Sequence, residues 1–121
     1  MKAIVKKLRD AEKGKRGDIL KEVIFSPEVT GNRFLRFSVY SGKPGTESDL
    51  HVNPGDDYFY ILKGSMLFEV DGEEIELEAG DFVSVLEDAP HKATITGDED
   101  ILLIAAHCDE CPLLKQHKGN K

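Results

Sequence analysis

Turn signals recur about every ten residues through the middle of the chain, and that spacing constrains the fold more than any other feature. The sharpest is Asp71-Gly72, two residues suited to the positive φ of a tight hairpin. It separates residues 65–70 from residues 73–77, where Ile75 and Leu77 alternate with glutamates. Gly64 joins residues 57–63 to residues 65–70 just as tightly, and Ala79-Gly80-Asp81 turns the chain again before residues 82–86. Residues 89–96 and 100–107 supply the last strands. Upstream, Thr30-Gly31-Asn32 and residues 41–45 bracket a strand over 34–40. In it Leu35, Phe37 and Val39 face one way, and Arg36, Ser38 and Tyr40 the other. Short strands at this spacing predict an all-β chain, a small antiparallel barrel or jelly roll. Ile4-Val5 reads as a short strand and residues 6–13 as the one stretch with helical character. The remainder of residues 1–17 reads as charged and irregular.

With 121 residues the chain has material for one domain. Charged residues at 32% and hydrophobic residues at 40% are the mixture of a soluble globular protein. A net charge of −7 argues against nucleic acid or an anionic membrane surface as partner, since both repel an acidic protein. No apolar run approaches the ~20 residues needed to span a bilayer. The segment Met1-Lys2-Ala3-Ile4-Val5-Lys6-Lys7 lacks the apolar centre of a secretory signal, so a cytoplasmic protein is expected.

Two segments carry ligand-type side chains inside this β pattern. The first, residues 51–64, opens with His51 and contains Asn53 and Asp57; the second, residues 80–91, ends on His91. Two histidines and one carboxylate suit a divalent transition metal with coordination positions left open. Fe, Mn, Ni and Zn all accept that set, and the residues do not choose among them. His51 and Asn53 stand two apart and share a face on a strand. Asp57 shares its face with Phe59 and Ile61, and His91, from a strand across the barrel, with Ala93 and Ile95. Asn53 reads either as a weak fourth ligand through its amide oxygen or as a turn residue before Pro54. Asp56, on the opposite face, is expected in solvent. Either histidine alone reads as structural; together, in register with two motifs, they read as a site.

These segments resemble the two motifs of the cupin family. Gly45, His51, Asn53, Asp57 and Gly64 fall on the positions of the first motif, with Asn53 where that family has a second His and Asp57 where it has Glu. Gly80 and His91 fall on the second, with Leu86, Asp88 and Ile95 replacing its Pro, Gly and Asn. The resemblance implies a cupin-type antiparallel β-barrel, the jelly roll or double-stranded β-helix, over residues 31–107. Residues 1–30 would form an N-terminal arm with strands, and 108–121 a polar tail. It implies His51, Asp57, His91 and Asn53 around a divalent metal, and a homodimer. It also implies a small-molecule enzyme of dioxygenase-like or isomerase/lyase-like chemistry. The competing expectation is a cupin that binds a small molecule without turnover, its metal site degenerate. Arg36, Tyr40 and Phe59 are candidate ligand-binding residues. Cys108 and Cys111 have the Cys-x2-Cys spacing of half a zinc site, with His107 and His117 nearby in sequence, or are two ordinary thiols.

Overall fold

The structure, a computed structural model, describes residues 2–108. A single 3-10 turn (Leu8–Asp10) precedes β1 (Glu12–Arg16) and β2 (Ile19–Phe25), and a four-residue helix α1 (Pro27–Thr30) follows. Then come β3 (Arg36–Gly42), β4 (Asp57–Lys63), β5 (Ser65–Val70), β6 (Glu73–Glu78), β7 (Phe82–Val85), β8 (His91–Thr96) and β9 (Ile101–His107). One sheet has the order β1-β2-β3-β9-β4-β7 and the other β6-β5-β8. Every strand pair is antiparallel. The jelly-roll expectation holds, and the turns fall where their residues put them. Asp71 and Gly72 both take positive φ, at 50° and 82°, and close the β5–β6 hairpin.

The smaller sheet is longer than its named strands. Residues 45–51 run beside β8 as an irregular fourth strand. Gly45 N–H donates to Ile95 O, Ser48 N–H to Ala93 O, and His51 and His91 exchange both backbone hydrogen bonds. The Ser48 hydroxyl accepts from Ala93 N–H at 2.8 Å, replacing a backbone bond where the strand departs from regularity. This segment brings the first ligand-bearing stretch against the second.

Between the sheets lies one apolar cluster: Ile61, Met66, Phe68, Leu77, Val85, Ala93, Ile95, Ile101, Leu103 and their neighbours. Alternation explains its membership. His91, Ala93 and Ile95 of β8, and Ile101, Leu103 and Ala105 of β9, are buried while the residues between them are not. Each large aliphatic chain so buried contributes roughly 1.5–3 kcal/mol.

Three local expectations are corrected. Ile4-Val5 forms no strand. Residues 12–16, expected irregular, form β1 and pair with β2 through a two-residue turn at Gly17-Asp18. The helical character expected over 6–13 is confined to the 3-10 turn, with residues 12 and 13 already in β1, because these charged residues offer no apolar face for a helix to bury. On β3 the polar set faces inward: Ser38 is buried, and Leu35 on the other face is exposed. No helix among the described residues is long and apolar enough to cross a membrane.

Candidate functional site

The histidines meet because their backbones pair. His51 and His91 form an isolated antiparallel bridge, and their rings lie with centroids 4.1 Å apart. His91 Nδ1 contacts Ala89 O at 2.9 Å, and His51 Nδ1 contacts Asp49 O at 3.2 Å. A carbonyl only accepts, so each Nδ1 carries a proton, and a ring in its neutral form therefore keeps its lone pair on Nε2. His91 Nε2 is buried with no hydrogen-bond partner and lies 3.6 Å from Asp57 Oδ2. The Phe68 ring stands edge-on to His91, with centroids 5.7 Å apart, and fixes its other side. Burial lowers the His51 pKa from its ordinary 6.5, with the Asp49 carbonyl opposing. That keeps the ring neutral.

Asp57 begins β4, directly beside His107 at the end of β9. Its Oδ1 is 2.5 Å from His107 Nδ1, and its Oδ2 accepts from Asn53 Nδ2 at 2.5 Å. Burial pushes the Asp57 pKa up, but the hydrogen bond and charge of His107, the Asn53 amide and His91 outweigh it and hold the carboxyl below its ordinary 3.8. The carboxylate is therefore ionised and held in place. Asn53 sits in the turn, where its backbone oxygen accepts from Asp88 N–H, and its side-chain amide donates to Asp57, a role the sequence did not suggest. Among the described residues no three His, Cys, Asp or Glu side chains stand together as a ready-made metal cage. Asp57 faces His107 and Asn53 as well as His91.

The cup itself is a cavity of about 50 Å³, apolar on its floor (Ile19, Met66, Ile95, Ile101, Leu103) and polar at its rim. That is room for roughly three water-sized occupants. Tyr40 and Phe59 line it, in edge contact with centroids 6.4 Å apart. Arg36 does not; it lines an adjoining cavity with His107. Burial raises the Tyr40 pKa to about 12 against the opposing charge and hydrogen bond of Arg16. Tyr40 is thus a donor at any ordinary pH.

Two site residues escape a reading of the sequence. Arg16 lines both cavities, placed by the β1–β2 hairpin opposite Ile19. His107 touches Asp57, although by sequence it stands beside only the Cys pair. The alternation Leu103, Ala105, His107 on β9 is the signal that puts it on the inner face. Asp56 is a correction: it is buried, not solvated. Its carboxylate accepts from Glu87 N–H at 2.8 Å and from the Tyr58 hydroxyl at 3.3 Å, anchoring the loop before β8. Cys108 is buried and disulfide-bonded. Cys111, the other half of the suggested second metal site, lies outside the described residues.

The family model described as "Cupin domain" matches residues 39–107. An oxalate-binding protein of Thermotoga maritima is 27% identical over 94 residues, which cover 77% of this chain and 78% of that protein. Among solved structures, a predicted oxalate decarboxylase from Thermotoga maritima superposes with TM-score 0.74 at 22% identity, covering 87% of this chain and 98% of that one. A polyketide cyclase from Streptomyces resistomycificus superposes with TM-score 0.75 at 14% identity, covering 89% and 80%. At these identities the superpositions establish the shared fold and nothing finer.

Proposed function

The chain belongs to the cupin family, and on that premise we propose that it binds a small carboxylate in its barrel cup through a divalent transition metal. Fe, Mn, Ni and Zn are the candidate ions. His51 and His91 would hold the ion through Nε2, with Asp57 as the carboxylate and Asn53 beside it. The observation that carries this reading is the buried, unpartnered Nε2 of His91, whose Nδ1 is already committed to Ala89 O. An imidazole so arranged presents a lone pair to an electrophile, and a metal ion is the usual one. The residues fit a metal in donor chemistry, with Asp57 shared between the ion and His107. When bound, the ion would supply a Lewis acid with open positions for ligand oxygen. Around it, Tyr40 donates, Phe59 and Phe68 exclude water, and Asn53 keeps the carboxylate aimed. The oxalate-binding relative supports a small carboxylate as the ligand class. A homodimer belongs to the same reading, supported by the exposed apolar face of β4 and β7.

A second reading has its own support. The Asp57 carboxylate is already occupied by His107 and Asn53. A cup that binds its ligand without metal needs no further rearrangement there.

Elemental measurement on untagged protein, beside His91→Ala, separates the two. The metal reading expects about one ion per chain, lost in the variant. Circular dichroism should show the same folded spectrum for both proteins. Wild-type protein that neither carries nor takes up Fe(II), Mn(II), Ni(II) or Zn(II) would leave the metal-free cup standing.

A further inference from the structure

Beside the cup lies a second cavity of about 240 Å³, walled by Arg16, Lys21, Arg36, Tyr40 and His107 among others. Strand register explains why these side chains converge. Lys21 pairs with Tyr40 across β2 and β3, and Arg36 pairs with His107 across β3 and β9, so all four project from one face. His107 in turn pairs with Asp57 across β9 and β4. The result is a row of Arg36, His107 and Asp57 over adjacent strands at the barrel mouth, with Lys21 and Arg16 flanking it. Ser38, buried, adds a hydroxyl to the same wall. Asp57 is the single acidic side chain among the lining residues. This concentration of positive charge occurs in a chain of net charge −7. Chance placement of basic residues on an acidic protein favours its solvated faces; these lie on the inner face of a sheet. The two cavities share Arg16, Tyr40, Asn53 and Asp57 as common walls.

We propose that this second cavity is an anion subsite, which takes a carboxylate or phosphate carried on the far end of the same ligand whose near end occupies the cup. The ligand class is then a small organic molecule with two separated polar ends. Arg36 and Asp57 stand two strands apart, about 10 Å between backbones. Oxalate, with its carboxylates on adjacent carbons, offers no second pole separated from the first. Arg36 contributes a planar fork suited to paired anion oxygens, and Lys21 a mobile point charge. Tyr40 stands at the junction and donates to either occupant; its ring lies under the Lys21 ammonium at 5.8 Å. The identification of the cup as the near pole rests on the proposed function above, whereas the anion subsite stands on the second cavity alone.

The test is titration calorimetry on the full chain with inorganic phosphate, succinate and oxalate, at ionic strength matched with chloride. The proteins are wild type, Lys21→Gln, Arg36→Gln, Arg36→Lys and His51→Ala. Phosphate or succinate should bind wild type, and each Gln variant should weaken that binding about tenfold, as the loss of one charge-assisted contact predicts. Arg36→Lys should recover part of the loss. Measured with EDTA present, so that no ion in the cup takes phosphate in either protein, His51→Ala should leave phosphate binding within about twofold of wild type, because it alters the cup and not the subsite. Tighter phosphate than succinate would assign a phosphoryl group, and the reverse a carboxylate. Equal binding of phosphate and succinate by wild type and both Gln variants would overturn the subsite, as would no binding of either anion. Loss of metal in His51→Ala with phosphate binding intact would leave both proposals standing. Intact phosphate binding in a wild-type protein that takes up no metal would remove the metal reading alone.

Discussion

At the scale of single residues the site turns on Asp57, whose side chain is only 7% exposed and whose charge is held by three neighbours. A carboxyl with its folded pKa below the ordinary 3.8 binds fewer protons when folded than when unfolded. Its stabilisation is present above that value and is lost as pH falls through the folded pKa. His51 acts with the same sign in a higher window. Its folded pKa lies below 6.5, so the unfolded chain takes up the proton first and stability falls as pH drops below 6.5. Asp57→Asn keeps the shape and removes the charge. It should destabilise the protein at neutral pH by about 3 kcal/mol, the usual cost of breaking a buried pair. In urea melts across pH, the gap between wild type and variant should narrow below pH 3.8 while the loss beginning near 6.5 persists in both. A gap independent of pH would mean that packing, and not charge, accounts for Asp57.

Among the elements, the loop between β3 and β4 decides whether a site exists at all. Its first half borrows the edge of β8 to place His51. Its second half is clamped at Gly55, where an added Cβ would stand 1.7 Å from Cys108 O and 3.7 Å from the His107 ring. No side chain fits against a carbonyl at that distance, so the loop reaches the end of β9 only because residue 55 is glycine. The same closeness sets Asp57 against His107. Gly55→Ala should lower stability by about 2 kcal/mol or more through the forced backbone shift. It should also move the His107 ring resonances in an NMR spectrum taken on the folded variant. Unchanged His107 resonances with lowered stability would show that the clamp does not position the pair. Pro54-Gly55 reads from sequence as a turn, and a turn it is, but the reason for glycine there is the approach of a strand from the far end of the domain.

On the scale of the whole molecule, the six-stranded sheet ends in β7, which turns Phe82 and Ser84 outward. Phe82 is 75% exposed and stacks on Tyr60 at 4.3 Å, with Leu86 at 62% and Tyr58 at 51% nearby. An unpaired edge with an apolar face invites another chain. In the homodimer proposed above, this is the face that would be covered. Light scattering coupled to size exclusion should then give a dimer mass for wild type and a shift toward monomer for Phe82→Lys. Phe82 is already at the surface, so the variant should melt within about 0.5 kcal/mol of wild type. A wild-type protein that elutes as a monomer would overturn the homodimer, and a dimer mass unchanged by the Phe82→Lys substitution would take the interface elsewhere.

The antiparallel barrel, its hairpins and the faces of β4, β8 and β9 follow from local rules acting on this sequence. Alternation with period two chooses what is buried, and Asp71-Gly72 turns because of what those two residues are. Part of the cup was legible for the same reason: Asp57 and His91 sit at a fixed parity relative to buried neighbours on β4 and β8, whereas His51, on an irregular stretch, was legible from its place in the first cupin-like motif. Parity says which face a side chain takes; it does not say which strands become neighbours. Only the tertiary structure sets His107 beside Asp57, turns Asn53 from a loop residue into the carboxylate's partner, buries Asp56, and draws Arg16, Lys21 and Arg36 to one mouth. Those pairings depend on the sheet order β1-β2-β3-β9-β4-β7, in which β9 inserts between β3 and β4. That insertion is a long-range choice, settled by the packing of the whole core and not by any segment of the chain alone.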